Sequence, residues 1–235
     1  VLQHRGTKAL TMLVVACALG MSTVVFQTVT HNTILTPAVM GLDALYLFLQ
    51  AVLVLVLGSV GVVQLGLLPK YGLEIVLMVA LSVGLMRWLF TGHASSLHLM
   101  LLVGMVMGIL FRSMTSFAMR MIDPNEFATL QDRMFANFNT IHTQLLLPSL
   151  VVLALGTAFF WRSRHVLDVL ALGRDAAVNL GVHYQRQVLQ LLVVMCAMVA
   201  ISTALVGPVT FFGLLVANMA YQWMCTRRHA WVLPA

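Results

Sequence analysis

Residues 188–206 read VLQLLVVMCAMVAISTALV, nineteen positions without one charged side chain. A helix that crosses a bilayer needs roughly 20 mostly apolar residues. Further apolar runs of similar kind stand on either side, at 8–30, 38–68, 72–92, 97–121, 148–161 and 209–225. The sequence therefore predicts an all-α fold, a polytopic membrane bundle of about seven transmembrane helices.

Composition excludes the soluble classes. Of 235 residues, 61% are apolar and 9% are charged, with a mean hydropathy of +0.98. Soluble domains carry about 25% charged residues, so a soluble enzyme, a disordered chain and a disulfide-rich secreted module are excluded. The net charge of +6 lies in short breaks between apolar runs. This distribution fits contact with membrane lipid rather than with nucleic acid. Cys17, Cys196 and Cys225 have no metal-ligand spacing and are predicted to be small buried hydrophobes.

Two connections are long enough to hold structure of their own. In residues 123–144, Phe127, Leu130, Met134, Phe138 and Ile141 recur at three- and four-residue steps, which predicts an amphipathic helix along the membrane interface. The connection 162–187 is rich in arginine and histidine. The positive-inside rule places it in the cytoplasm, although basic residues also occur in the loops assigned to the other side.

No catalytic constellation, metal-ligand cluster or phosphate-binding loop occurs in the sequence. We therefore expect no enzymatic activity and no cofactor or metal in this chain. His93 and His98 stand five residues apart and are interpreted as interfacial histidines rather than haem ligands. Gly104 and Gly108 predict a close helix approach, more in keeping with internal packing than with a dimer face.

Two further stretches are candidates for function. Gly207-Pro208 breaks the helical pattern between two apolar runs, and a break at membrane depth needs surrounding protein or a water-filled cavity. Residues 172–182, LGRDAAVNLGV, predict a short helix with Asp175 near its start and Gly181 at its end. Such a segment is either a compact knob for a second protein or an ordinary interfacial helix.

The chain resembles the BtuC/FecCD-type permeases of ABC importers through several motifs in the same order. They are the basic pair Arg5 and Lys8, the signature Gln27, Asn32, Pro37 and Gly41, the LG-x2-AA-x2-LG pattern at 172–181, the GP-x2-F-x-GL element at 207–214, and His229-x3-Leu233-Pro234. Three departures argue against vitamin B12 as cargo. Thr33 replaces a proline, residues 41–46 read GLDALY, and Ala217-Asn218 replace Pro-His. The strings at 26–28, 34–37, 43–46 and 123–127 instead resemble permeases for ferric siderophores such as vibriobactin, enterobactin, anguibactin and petrobactin.

The resemblance implies a family fold of ten helices, of which residues 1–235 match the second to the eighth as one incomplete permease domain. It implies a subunit in the bacterial inner membrane that moves a ferric siderophore from periplasm to cytoplasm. The implied partners are a second permease, more in keeping with a paralogue than a copy, two ABC ATPases that hold ATP and Mg, and a periplasmic binding protein.

The resemblance also assigns residues. Residues 172–182, here called the coupling segment, would contact the ATPase. Arg5 and Lys8 would lie outside and dock the binding protein. The path and its support would include Gln27, Asn32, Pro37, Gly41, Gly207, Pro208 and Asn218, which equally could satisfy backbone groups in bent helices. In the coupling segment the contact residues would be Gly173, Arg174, Asp175, Ala176, Ala177, Leu180 and Gly181.

Two alternatives stay open. An ion-coupled secondary transporter also uses broken helices, and it usually needs a charged group within the membrane. Asp43, Glu74 and Arg112 are the candidates, none with an evident partner in the sequence. A membrane-bound redox enzyme is the other alternative.

Overall fold

The computed structural model describes residues 2–91, 97–123, 127, 131, 134–138 and 143–235. These residues fold as α-helices with one 3₁₀ turn, Pro37–Met40, so the all-α prediction is confirmed. The α-helices within the described ranges are α1 (Leu2–Thr30), α2 (Leu42–Gln64), α3 (Leu67–Thr91), α4 (Leu97–Met121), α5 (Thr143–Arg162), α6 (Arg164–Leu170), α7 (Arg174–Asn179), α8 (Tyr184–Val206), α9 (Phe212–Met224) and α10 (His229–Val232).

Within the described part of the chain, α1, α3, α4, α5 and α8 are long and apolar enough to cross a membrane. Two of the seven predicted runs are shorter than the sequence indicates. In α2 the uninterrupted apolar stretch is Leu42–Gly58, because Gly58 has a φ of 69° and kinks the helix. Helix α9 has 13 residues, because helical structure begins again only at Phe212, after the turn at Gly207. Apolar composition alone does not reveal these interruptions.

The core is organised around α1 and α8. In both spans, 61% of the residues in the most apolar window are buried, against 22% in α3 and 28% in α4 and α5. Leu191, Leu192 and Met195 of α8 and Val15 and Phe26 of α1 are completely inaccessible. The charge-free run at 188–206 is therefore the helix that is covered by protein on most sides.

Glycines set the closest contacts between elements. Gly104 and Gly108 of α4 face the turn at Met40 and Gly41 of the same chain, where an added Cβ would lie 3.1 Å from the nearest backbone atom in each case. This geometry agrees with the internal packing expected from their spacing. At Gly213, a Cβ would collide with the Thr23 hydroxyl, so glycine lets α9 lie directly against α1.

The two long connections differ in what the structure shows. Residues 162–187 contain two short helices, α6 and α7, of which only α7 was predicted from the sequence. Most of the predicted amphipathic helix at 123–144, including Leu130 and Ile141, lies outside the described residues, as do His93 and the side chain of His98. Within the connection, the Asn137 N–H donates to the Val206 carbonyl at 2.8 Å. This bond holds the described residues 134–138 against the end of α8.

Candidate transport path and coupling surface

A cavity of about 560 Å³ opens at the end of the bundle where α1 and α9 finish. We call it the terminal cavity. Most of the residues that line it have polar side chains, in a chain that is 61% apolar. The lining residues are Gln27, Thr28, His31, Thr33, Ala171, Asn218, Tyr221, Gln222, Cys225, Thr226, Arg227 and His229. Two of the predicted path residues, Gln27 and Asn218, thus meet at one site although they stand far apart in the sequence.

Gln27 holds the chain reversal that follows α1. Its side-chain Nε2 donates to the Thr33 carbonyl at 2.7 Å, and its backbone carbonyl accepts from the Asn32 N–H at 3.1 Å. The Oε1 atom is buried and has no hydrogen-bond partner among the described residues. A buried acceptor without a donor costs about 1–3 kcal/mol. Gln27 therefore presents a polar group whose hydrogen-bonding capacity is unused in this conformation.

The other residues of the predicted signature shape the turn between α1 and α2. The Asn32 Oδ1 accepts the Ile34 N–H at 3.0 Å, which closes a side-chain turn. Pro37 is buried at the first position of the 3₁₀ turn, and Gly41 ends that turn with a φ of 79°. Asn32, Pro37 and Gly41 are absent from the described lining of the terminal cavity. Their visible contacts support the fold of this turn.

Gly207-Pro208 lies away from the terminal cavity, between the end of α8 and the start of α9. Gly207 has a φ of 102°, and a Cβ there would lie 3.0 Å from the Phe135 carbonyl oxygen. The break is thus covered by protein, as irregular backbone within a membrane bundle requires. The structure does not bring this break together with Gln27 and Asn218.

The coupling segment forms a small projection with an apolar surface. Helix α7 begins after Gly173, with a φ of 106°, and the chain leaves it through Gly181, with a φ of 82°. Ala177 is completely buried and seats the helix, whereas Leu172, Val178 and Leu180 are 67%, 53% and 63% exposed. Such exposed apolar side chains beside charged residues are typical of a protein contact.

The charged residues of this segment face outward beside that apolar surface. Arg174 and Asp175 are both exposed. The Arg174 guanidinium lies over the aromatic ring of Tyr184, 5.9 Å from the ring centroid. Ala176 and Gly173 are half-buried. Sequence reasoning selected the charged residues, the small residues and Leu180, but not Val178. The sequence could have indicated Val178, because it is the one apolar residue larger than alanine in this short helix.

A polar network centred on a buried histidine joins three elements at the same end of the bundle. His229, at the start of α10, is 2% exposed, and its Nδ1 lies 2.6 Å from Oδ1 of Asp168 in α6. The His229 Nε2 lies 2.7 Å from the hydroxyl oxygen of Thr28 in α1. The sequence motif included His229, but Asp168 and Thr28 gave no signal because both partners are distant in the chain.

The predicted docking residues lie at the other end of α1. Arg5 is exposed and Lys8 is half-buried in the first turns of the helix. With a rise of 1.5 Å per residue, Arg5 and Thr28 are separated by roughly 35 Å along the axis. The docking residues and the coupling segment therefore occupy opposite ends of the bundle.

One expectation about charges is wrong. Glu74 is 3% exposed and has partners, because Lys70 Nζ lies 3.5 Å from its Oε1 and Gln50 Nε2 donates to the same oxygen at 2.7 Å. The Lys70 spacing of four residues brings the two charges together on one helix face. Asp43 is also buried, with Oδ2 unpartnered among the described residues.

Apolar spans around two buried central helices, a polar cavity at one end and an exposed apolar projection beside it define a polytopic membrane permease. The chain belongs to the FecCD transport family, whose model matches residues 1–235.

Named relatives agree with this family. The chain is 40% identical over 232 residues to the petrobactin import system permease protein YclO of Bacillus subtilis, covering 99% of this chain and 74% of that protein. It is 35% identical over 237 residues to the petrobactin import system permease protein FatC of Bacillus anthracis, covering 100% of this chain and 66% of that protein.

The fold also matches a solved structure. A protein described as a metal-chelate type ABC transporter in an inward-facing conformation superimposes with a TM-score of 0.84 at 21% identity. The match covers 98% of this chain and 71% of that chain. At this identity the likeness establishes the fold.

Proposed function

We propose that this chain is the permease subunit of an ABC importer that moves a ferric siderophore of the petrobactin type from periplasm to cytoplasm. The observation that carries the proposal is the 40% identity to a petrobactin permease over 99% of the chain. The chain supplies the path, and it carries no ATP-hydrolysing chemistry of its own. In this proposal the permease is located in the bacterial inner membrane.

The opposite ends of the bundle support a direction of transport. Arg5 and Lys8 would meet carboxylates of a loaded periplasmic binding protein, where charge mainly orients docking and accelerates it. The coupling segment would meet the ATPase pair, which holds ATP and Mg. A second permease, a paralogue of this chain, would complete the path.

The coupling segment fits the role of a lever. Leu172, Val178 and Leu180 offer apolar contact area, and Arg174 and Asp175 offer charge for orientation. Closure of the ATPases on ATP would push this projection and tilt the helices attached to it. Coupling of this kind requires that the segment contact the two ATPase states with different affinity.

The experiment uses the full-length permease, co-expressed with its ATPase and second permease and purified in lipid nanodiscs. ATPase activity is measured with binding protein that is empty or loaded with ferric petrobactin. Activity that copurifies and rises with loaded binding protein supports the importer. A stable permease that brings down no ATPase refutes it.

Charge reversal tests the residue assignment. The double change Arg174→Glu and Asp175→Arg should reduce ATPase copurification, because it reverses the charges on the proposed contact surface. Arg186→Glu is the matched control, since Arg186 is exposed nearby but outside the coupling segment. Equal copurification by the two variants would remove the assignment.

A corresponding test applies to docking. Arg5→Glu with Lys8→Glu should slow binding-protein association, and the effect should weaken as salt is added, because charges on a surface are screened. Unchanged association at low ionic strength would refute the docking role.

One observation favours a second candidate, ion-coupled transport. The buried Glu74 with its Lys70 and Gln50 contacts is the kind of membrane group such transporters use. In proteoliposomes, uptake that survives a protonophore and stops without internal ATP would exclude this candidate. Uptake that follows an ion gradient without ATP would establish it in place of the importer.

A further inference from the structure

The polar network of His229, Asp168 and Thr28 joins the coupling side of the protein to the wall of the terminal cavity. His229 itself lines the cavity, as does Thr28. Asp168 lies on α6, the helix that directly precedes the coupling segment. The network therefore connects the coupling segment with the terminal cavity, two regions that have different roles in a transport cycle.

Each contact within this network is short and uses a different atom of the imidazole. The Asp168 Oδ1 accepts both the backbone N–H of His229, at 2.9 Å, and its Nδ1–H, at 2.6 Å. A carboxylate can only accept, so Nδ1 carries the proton that the Asp168 Oδ1 accepts, and Nε2 lies 2.7 Å from the Thr28 hydroxyl oxygen. The same hydroxyl lies 2.9 Å from the Val24 carbonyl within α1. The rigid ring thus spans from α6 to α1 with a fixed orientation.

The helices that it joins are themselves firmly packed. Leu167 and Leu170 of α6 are completely or almost completely buried, and Val25 and Phe26 of α1 are inaccessible. A displacement of α6 would therefore be carried through the imidazole to Thr28 and its neighbour Gln27. His229 and Thr28 are 2% and 8% exposed, whereas the Asp168 side chain is 36% exposed. Removal of the Thr28 hydroxyl therefore leaves a buried imidazole nitrogen without that partner.

We propose that His229 is a positioning residue that transmits movement of the coupling segment, through Asp168 and Thr28, to the wall of the terminal cavity. This inference rests on the proposed function, in which residues 172–182 receive the ATPase. The network sets how many substrate molecules move for each ATP hydrolysed. It is not required for assembly of the complex.

The test compares variants of the full-length permease in the complete complex, reconstituted in proteoliposomes with binding protein and ferric petrobactin. Thr28→Val removes the hydroxyl and keeps the shape of the side chain, and Thr28→Ser keeps the hydroxyl. Thr30→Val is the matched control, because the Thr30 hydroxyl bonds carbonyls of its own helix at 2.8 and 3.5 Å. Copurifying ATPase, basal ATPase rate and uptake per ATP are measured for each.

We expect Thr28→Val to assemble normally and to keep its basal ATPase rate, while uptake per ATP falls about tenfold, within the usual range of coupling between sites. Thr28→Ser and Thr30→Val should behave as wild type. Asp168→Ala removes the acceptor and should lower the same ratio, and its combination with Thr28→Val should be no worse than either single change, because both break one network.

Three results would overturn the inference. The first is a wild-type ratio in Thr28→Val. The second is an equal fall of uptake per ATP in Thr30→Val. The third is loss of ATPase assembly in Thr28→Val that Thr28→Ser does not restore, which would show a purely structural role. The wild-type arm tests the proposed function separately. Absence of ATP-driven uptake there refutes the importer, whereas wild-type uptake with an unaltered Thr28→Val ratio refutes only the transmission.

Discussion

The contact between Gly41 and Gly108 gives a stability prediction that can be worked from distances. A Cβ at Gly41 would lie 2.7 Å from the Gly108 Cα and 2.9 Å from its nitrogen, both backbone atoms that cannot rotate away. Gly41 also has a φ of 79°. Left-handed conformation costs a residue with a Cβ about 1–2 kcal/mol, and overpacking costs about 1–3 kcal/mol. Gly41→Ala should therefore destabilise the fold by roughly 2–5 kcal/mol.

The reciprocal change should be milder. At Gly108 a Cβ would meet the Gly41 Cα at 3.1 Å, and alanine gains up to about 1 kcal/mol over glycine within a helix. Gly84→Ala is the control, because no atom lies within 4 Å of its Cβ position in α3. From the most to the least stable, we expect the order Gly84→Ala, wild type, Gly108→Ala and Gly41→Ala.

The assay heats the purified full-length protein in detergent and follows the fraction that stays monodisperse. For a chain of this size, 1 kcal/mol shifts the midpoint by about 2–4 °C, so Gly41→Ala should melt about 10 °C lower. A wild-type midpoint for Gly41→Ala would refute the close approach. An equal loss in Gly84→Ala would show that any glycine change is harmful, and the packing argument would fail.

Three further outcomes are expected. Gly207→Ala should lower the melting midpoint by an amount equivalent to about 1–3 kcal/mol. Gly207 has a φ of 102°, and its added Cβ would lie 3.0 Å from the Phe135 carbonyl oxygen. A midpoint equal to that of the wild type would contradict this account. Glu74→Ala should destabilise by about 3–5 kcal/mol, because it removes the buried carboxylate that Lys70 and Gln50 contact. Glu74→Gln should cost less, because its amide oxygen still accepts from Gln50, and equal midpoints for the two variants would contradict the role of the buried charge. Leu180→Ser should stay within about 0.5 kcal/mol of wild type, since the side chain is 63% exposed, while ATPase copurification falls in a pull-down; full copurification would exclude Leu180 from the contact.

The apolar runs in the sequence predicted most of the helices, because a membrane helix needs length and lacks charge. The run 97–121 coincides with α4, and the run 188–206 lies within α8. The kink at Gly58 could not be predicted, since an isolated glycine is common in membrane helices. The 13 residues of α9 were likewise hidden, because apolar composition continues through the turn before it.

The candidate site was predictable only where its residues are close in sequence. The coupling segment is one continuous stretch, and its terminal glycines are visible in the sequence. The Lys70–Glu74 pair could also have been inferred from its four-residue spacing. The contact of Thr28 with His229 spans 201 positions, and it depends on how α9 folds back along α1. No periodicity within either segment carries that information.

Helix α1 runs from one end of the bundle to the other, and this bears on how a signal could cross the membrane. Helix α1 continues unbroken from Leu2 to Thr30, with Arg5, the proposed docking residue, near its start and Thr28 near its end. A continuous helix transmits tilt over its length, whereas a kinked one such as α2 absorbs it. Tilt of α1 would move Gln27, whose buried Oε1 has no donor among the residues that the structure describes. A second arrangement that supplies a donor would recover about 1–3 kcal/mol. That free energy is comparable to the coupling between sites in known allosteric proteins, so pairing or releasing this one amide oxygen is sufficient to bias the bundle between two states.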